Sequence, residues 1–418
     1  MGLSKTAKTT VKILRSGDDL TKRQRLIFII LLGLSMTLMP YTIDPILAAF
    51  PRIGETFGAT DSQVQLSLMA VTLGFALGQL ITGPLSDSLG RKRPMLFAVG
   101  IWFLAEFATM ISPTIEGFYA ARFLASFAAA SATVVASAII RDLYKEAKMM
   151  QFLSRVYLVQ GMSPVLGPII GSQLLPFMSW QSIVFIFGIY GLVTFVGLRI
   201  FLVETLHSED RRAKGFNGIL GRFRAVLHDR VYVGLVIFSA LQTISLFAYL
   251  NLVPFIFQDG FKIGVSEFGV FFALNSLISV IGTQVGGRLA VRFRSNWVLF
   301  SHIVLASLSG VALVVAAMLH AEFGVVTALF AFFTFNFGAT YTPLISIALA
   351  NHGEEAGTAA SLLGVVNFVS ASLAGPLYAV IDHKTSAGAG AIIAIAYALG
   401  ALSLLLVSRV RTIPPLKN

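Results

Sequence analysis

Long apolar segments alternate with short polar ones along almost the whole chain. Each apolar segment is close to the 20 or so residues that a helix needs to cross a bilayer. They lie near residues 26–50, 63–84, 94–113, 116–139, 151–174, 181–203, 231–257, 266–288, 297–319, 323–350, 357–380 and 388–408. The pattern therefore predicts an all-α membrane protein with twelve transmembrane helices.

An internal repeat divides these helices into two sets. Gly167-Pro168 in the fifth segment recurs as Gly375-Pro376 in the eleventh, 208 residues later. This offset is about half the chain, so we predict two pseudo-symmetric six-helix halves with a substrate site between them near the bilayer midplane. The predicted division is a tail at 1–25, a half at 26–203, a linker at 204–230, a half at 231–408 and a tail at 409–418.

The composition agrees with lipid as the main solvent of this chain. Only 12% of the 418 residues are charged and 56% are hydrophobic, whereas soluble domains carry about 25% charged residues. The mean hydropathy is +0.82. A soluble protein of this composition could not cover its own surface with polar groups.

The formal net charge of +11 is distributed unevenly between the two sides of the predicted bundle. Most basic residues of the loops fall on the side of the N terminus, in the loops near residues 91–93, 141–148, 211–224, 288–294 and 409–417. The positive-inside rule then places both termini in the cytoplasm. This distribution explains the charge without a nucleic-acid partner.

The sequence contains little that is typical of an enzyme or a metalloprotein. It has no cysteine and no nucleotide-binding Gly-x-x-x-x-Gly-Lys motif, and its six histidines show no metal-ligand spacing. We therefore expect no catalytic residues, no metal and no cofactor. An ion gradient is the expected energy source, small molecules and protons are the expected partners, and a monomer is the expected state.

Three charged residues lie inside predicted helices, namely Asp44, Glu106 and Arg122. Charges inside a membrane are costly and are candidates for function by default. At 1.5 Å per residue, all three lie roughly 9–10 Å below the outer surface. A contact between Asp44 and Arg122 is compatible with these depths.

Our hypothesis is that Asp44 couples proton movement to transport. Burial and a nearby arginine have opposite effects on the proton affinity of a carboxyl group. A group between these effects can bind a proton from one side and release it to the other. The alternatives are that Asp44 is a satisfied helix-end group, that Arg122 snorkels to the surface, and that Glu106 bonds a neighbouring helix.

Polar and aromatic residues in the middle of predicted helices are candidates for a substrate cavity. A hydrogen bond between helices is an equal alternative for each of them. They are Tyr41, Gln160, Tyr249, Asn251, Asn275, Asn336, Tyr341 and Asn367.

The polar segment 83–94 resembles the loop signature between helices 2 and 3 of the major facilitator superfamily. It contains Gly83, Asp87, Gly90, Arg91 and Lys92 in the pattern Gly-x-x-x-Asp-x-x-Gly-Arg-Lys. The glycines would allow tight turns, and a helix N-terminus would stabilise Asp87. The resemblance implies a latch between the halves in the outward-facing state, for which Asp142 is a candidate partner. Alternatively, the loop only fixes orientation through its positive charge.

The fifth predicted helix resembles the motif that the same superfamily associates with antiporters. Five residues between 161 and 171 carry it: Gly161, Pro164, Gly167, Pro168 and Gly171. In a bundle, neighbouring helices can satisfy the carbonyl groups that prolines leave unpaired. The alternative is a packing kink with no bearing on the direction of transport.

Several segments narrow the resemblance to the Bcr/CflA drug-resistance subfamily. They are residues 44–51, 121–125, 141–144 and 356–364, and the resemblance runs from about 26 to 405. It implies a proton-coupled exporter of the bacterial inner membrane. A symporter or facilitator of a polar metabolite, and a receptor or assembly subunit that transports nothing, are the competing hypotheses.

Overall fold

The computed structural model of the protein describes residues 16–144, 146–206, 226–350, 356–381 and 383–409. These residues form helices throughout, joined by short connections. The helices are α1 (Lys22–Met36), α2 (Leu38–Leu47), α3 (Phe50–Phe57), α4 (Asp61–Leu89), α5 (Lys92–Met110), α6 (Ile115–Leu143), α7 (Glu146–Gly161), α8 (Ser163–Leu174), α9 (Trp180–Phe201), α10 (Arg230–Phe255), α11 (Val265–Arg292), α12 (Ser295–Met318), α13 (Phe323–Ala350), α14 (Ala356–Leu373), α15 (Gly375–Ala379) and α16 (Ser386–Ser403).

Ten of the described helical segments are long and apolar enough to cross a membrane, and the pair α1–α2, bent by 48° at Thr37, adds an eleventh. The predicted fifth span is also broken, because α7 and α8 meet at Met162. The all-helical membrane fold is therefore confirmed, with up to eleven crossings among the described residues, and the expected twelfth corresponds to the broken span α7–α8. Much of the predicted tails (1–15 and 410–418) and linker (207–225) lies outside the described residues.

Helices α1–α9 pack mainly on one another, as do α10–α16, and the most extensive packing between the halves involves two pairs of spans. Helix α4 packs along α14 and α15, and α8 packs along α11. In the predicted repeat these pairs join the second span to the eleventh and the fifth to the eighth. Span 2 of the first half corresponds to span 8 of the second, and span 5 corresponds to span 11. The two interfaces are therefore equivalent, as a pseudo-twofold relation between the halves requires.

Equivalent glycine pairs hold the helices of each half together. Gly74 and Gly78 place α4 against backbone oxygens of α6, and Gly282 and Gly286 place α11 against backbone oxygens of α13. The second pair follows the first by 208 residues, the offset of the Gly-Pro repeat. Small residues four apart permit such close approach of helices. The repeated glycine pairs were visible in the sequence, but our prediction did not use them.

We had predicted that segment 83–94 is a loop, but only part of it is. Helix α4 continues through Pro84 to Leu89, so Asp87 lies in its last turn. Gly83 is helical, whereas Gly90 has a positive φ of 90° and makes the turn. The expectation that a helix N-terminus stabilises Asp87 was therefore wrong, because its carboxylate lies at a C-terminal end, where the helix dipole opposes a negative charge.

Candidate functional site

Asp44 lies on the short helix α2, just beyond the bend of the first span. It is 9% exposed, and the ring of Pro45 follows it inside the helix. A proline here removes one backbone hydrogen bond and favours a break in the helix. The charge therefore sits on a separate short segment in the interior of the bundle.

The glycines of the predicted antiporter motif explain how this segment fits. A Cβ atom on Gly167 would lie 3.1 Å from the Cβ of Asp44, and one on Gly171 would overlap the carbonyl group of Pro45. By contrast, a Cβ atom on Gly161 would meet no described atom within 4 Å. Two of the three motif glycines thus form the surface of α8 on which Asp44 rests.

The other half of the molecule also reaches Asp44. Tyr249 on α10 is buried and close enough to interact electrostatically with Asp44, and it lies against the amide of Asn275. Tyr41, one turn before Asp44, interacts with it as well. Both halves therefore contribute side chains around this carboxylate, which has no ion-pair partner among the described residues.

Glu106 and Arg122 form a second buried charged site between α5 and α6. They are 2% and 1% exposed, and their charges act on each other. Glu106 Oε1 and Arg122 Nε and Nη2 are buried without a hydrogen-bond partner in the described structure. The two charges thus act on each other without a direct ion pair among the described contacts, in a place where most of their polar atoms are unsatisfied.

The pairing corrects our expectation for Arg122. The charge that acts on Arg122 is Glu106, and among the described residues no ion pair joins Arg122 to Asp44. The two sites are linked indirectly, since Trp102, one turn from Glu106 on α5, donates a 2.8 Å hydrogen bond from Nε1 to Thr42 Oγ1 on α2. Position along the chain predicts the depth of each charge, but it does not predict which sides of the helices face each other.

Arg91 is the centre of an ionic network at the ends of α4 and α6. Its Nη1 contacts Asp87 Oδ1 at 2.7 Å and its Nε contacts Asp142 Oδ2 at 2.8 Å. Nη1 also donates to Ser86 Oγ at 2.8 Å. Burial opposes the charge of Arg91, but hydrogen bonds and the charges of Asp142 and Asp87 outweigh it and raise the pKa of this guanidinium.

Glu204, after α9, completes this network and was missed by our sequence analysis. Its carboxylate accepts hydrogen bonds from the backbone N–H groups of Arg91 (2.8 Å) and Lys92 (3.3 Å). It therefore supplies the negative charge at the start of α5 that we had expected from Asp87. Thr205 Oγ1 donates to Asp142 Oδ2 at 3.2 Å. The described contacts of the network all join elements of the first half.

The predicted cavity residues divide into three groups, of which two lie away from the tail end of the bundle. Tyr41, Tyr249 and Asn275 converge near Asp44, and Asn275 Nδ2 is buried without a hydrogen-bond partner in the described structure. Asn336 instead receives a 2.8 Å hydrogen bond from His302 across α12 and α13. Asn251 donates to the carbonyl group of Phe247 in its own helix.

The remaining candidates lie nearer the end of the bundle at which α1 begins, which we call the tail face. Tyr341 on α13 is 54% exposed and interacts electrostatically with Tyr157 of α7 in the other half. Gln160 and Asn367 are half-buried, and Asn367 Oδ1 has no hydrogen-bond partner among the residues described. This group therefore marks a more open region between α7 and α13.

The opposite end of the bundle, which we call the far face, is joined across the halves. Gln258 Nε2 donates to the Ala48 carbonyl at 3.2 Å, and Gln173 Nε2 donates to the Ser266 carbonyl at 3.0 Å. His383 contacts Ser62 Oγ at 3.4 Å and Gln65 Nε2 at 3.2 Å. A substrate site near Asp44 is thus covered on the far face.

Comparisons with known proteins agree with this architecture. The family profile described as Major Facilitator Superfamily matches residues 26–376. The D-xylose-proton symporter has a TM-score of 0.79 at 13% identity, with 94% of this chain and 98% of that chain covered. An inward-facing bacterial homologue of the human lysosomal transporter Spinster has a TM-score of 0.72 at 14% identity, with 94% and 97% covered.

Curated relatives show higher identity over nearly their full lengths. An uncharacterized transporter of Bacillus subtilis, YdgK, is 29% identical over 92% of this chain and 96% of its own. The bicyclomycin resistance protein homologue of Haemophilus influenzae is 27% identical over 88% and 92%. The multidrug resistance protein MdtL of a Shewanella species is 27% identical over 80% and 84%. The predicted likeness to drug-resistance transporters is therefore confirmed.

Proposed function

This chain belongs to the major facilitator superfamily, and we propose that it is a proton-coupled antiporter that exports small molecules across the bacterial inner membrane by alternating access. The relatives named for bicyclomycin and multidrug resistance support export. Both termini would lie in the cytoplasm, so that the tail face opens inward and the far face outward.

The observation that carries the proposal is the position of Asp44. Its carboxylate is buried on α2 against Gly167 of α8, acts electrostatically on Tyr249 of α10, and has no ion-pair partner among the described residues. Such a group can exchange a proton whenever either face opens to water. Protonation and substrate occupancy would then compete for the same space between the halves.

Glu106 and Arg122 have a supporting part in this proposal. Glu106 and Arg122 carry opposite charges that are both buried between α5 and α6. The pair therefore stands apart from Asp44 and is the second place in the first half where a proton can be bound. Trp102 and Thr42 connect its helix to the segment that carries Asp44.

The test compares Asp44→Asn with Asp44→Glu and with Glu116→Gln, a control that removes an exposed carboxylate. A susceptibility screen of cells with and without the protein, with bicyclomycin as the first probe, supplies the substrate. In proteoliposomes with an imposed pH gradient, we expect Asp44→Asn to lose gradient-driven transport and Glu116→Gln to keep it.

Two results would count against this function. Gradient-driven transport that persists fully in Asp44→Asn would remove Asp44 from the coupling step. Substrate that moves in the same direction as protons would indicate a symporter, which is the principal competing function on this fold.

A further inference from the structure

A recess of about 530 Å³ opens at the tail face, away from Asp44. It lies between the first turns of α1 and the middle of α7, and is lined by Lys22, Arg25, Leu26, Ile29 and Arg155. Three of these five residues are cations and two are aliphatic, and no acidic residue of the described structure contributes to the lining. A ligand of this recess must therefore satisfy positive charge and apolar surface together.

The packing of α1 on α7 explains why the recess exists. Deeper in the bundle the helices touch, since a Cβ atom on Gly33 would lie 2.7 Å from the Cβ of Val159. Lys22 is about three turns from Gly33 along α1, and the recess occupies the stretch between them, where long cationic side chains rather than small residues line the helices.

Two of the three cations are available to a ligand. Lys22 and Arg155 are exposed and form no hydrogen bond or ion pair with the described residues. Arg25 is held in place, because its Nη2 donates to the Gly17 carbonyl at 3.3 Å and its guanidinium lies 5.7 Å from the ring centre of Tyr144. The recess thus contains one cation held in place, Arg25, and two exposed cations, Lys22 and Arg155, whose side chains can adjust to a ligand.

The walls identify the class of ligand. Leu26 is 55% exposed, and Ile30, one turn further into the membrane on the same helix, is 42% exposed. The volume is that of roughly 18 water molecules at about 30 Å³ each, which is much larger than a phosphate ion. An anion that continues into an apolar chain satisfies both parts of this surface.

We propose that this recess binds the headgroup of an acidic phospholipid, with the phosphate between Lys22, Arg25 and Arg155 and an acyl chain along Leu26 and Ile30. The site lies at the depth where lipid phosphates meet the ends of transmembrane helices, and basic residues there attract anionic lipids. The lipid would bridge α1 and α7, which are parts of the two broken spans that meet beside Asp44.

The experiment measures lipid retention by native mass spectrometry on the full-length, delipidated protein. Phosphatidylglycerol is titrated against phosphatidylcholine of the same acyl composition. The recess variant is Lys22→Gln/Arg155→Gln. The control is Arg23→Gln/Arg93→Gln, which removes the same charge from two exposed residues outside the recess.

We expect the recess variant to bind phosphatidylglycerol about 25-fold more weakly, since each of the two cations near an anionic lipid contributes about a fivefold factor. The control should change binding by less than about threefold. Thermal unfolding of both variants verifies that they are folded.

Three results would overturn the proposal. Equal losses in the two variants would show a diffuse effect of charge, and no loss in either would show that the recess is not a lipid site. Displacement of phosphatidylglycerol by glycerol 3-phosphate at equal concentration would show a site for soluble anions.

Discussion

Gly171 leaves room for the carbonyl group of Pro45, so that α8 can lie directly against the segment that carries Asp44. The approach involves backbone on both sides, and backbone cannot move aside as a flexible side chain can. Gly161, in the same sequence motif, faces open space. Gly171 must therefore lack a side chain, whereas the described structure shows no such requirement at Gly161.

We predict that Gly171→Ala destabilises the protein by about 1–3 kcal/mol, the usual cost of overpacking. Gly161→Ala should leave stability within about 0.5 kcal/mol of the parent. Unfolding in a detergent titration measures both. Equal stability of the two variants would contradict the close packing of α8 on α2.

A second prediction at the scale of single residues concerns the buried charges of Glu106 and Arg122. Removing one partner of a buried charged pair leaves the other uncompensated and costs about 3–5 kcal/mol. We expect this loss for Glu106→Gln and for Arg122→Gln, and a smaller loss for the double variant than the sum of the two.

The same detergent titration, analysed as a double-mutant cycle, measures the coupling energy of the pair. Additive losses would mean that the two charges do not interact, and Glu116→Gln serves as the exposed control.

At the scale of elements, Arg91 joins the ends of α4 and α6, and Glu204 holds the start of α5. Our sequence interpretation was a latch between the halves, and the described contacts join helices within one half. Movement of this network would therefore act on the first half as a unit. In the second half, Gly287-Arg288-Leu289-Ala290 matches the start of this motif at Gly83 with an offset of 204 residues, so that Val291 stands where the first half has Asp87. The contact between Asp87 and Arg91 has no ionic equivalent at that position.

We predict that Asp87→Asn slows turnover while substrate binding is largely kept. The variant loses the charge that contacts Arg91 at 2.7 Å but leaves the cavity unchanged. Transport rate per molecule and equilibrium binding are measured on the same preparation. Loss of binding at unchanged turnover per bound substrate would exclude the latch.

At the scale of the whole molecule, the halves are joined at the far face and more open between α7 and α13 at the tail face. Alternating access requires the far-face contacts, such as that of Ser62 with His383, to separate once in each cycle. The natural chain has no cysteine, so introduced thiols have no background reaction.

We therefore predict that a short bifunctional thiol reagent links Ser62→Cys to His383→Cys and stops transport. A reagent with a cleavable disulfide should restore transport when it is reduced. Each single variant is the control. Unchanged transport in the cross-linked protein would show that these residues need not separate.

The sequence by itself determined the membrane fold, the two halves and the identity of most charged candidates. Hydropathy, the 208-residue repeat and the cost of burying charge are properties of single segments, and they can be read without knowing which helices touch. Asp44 and the motif 83–92 were found in this way, and the superfamily was confirmed by the profile match.

Only the tertiary structure decided which candidates share a site. The charge of Glu106 acts on Arg122, Glu204 caps α5, and Asp44 acts electrostatically on Tyr249 of the other half. These contacts depend on how each helix is rotated about its axis and where it bends. In a bundle surrounded by lipid, apolar residues cover every face of a helix, so periodicity leaves that rotation undetermined.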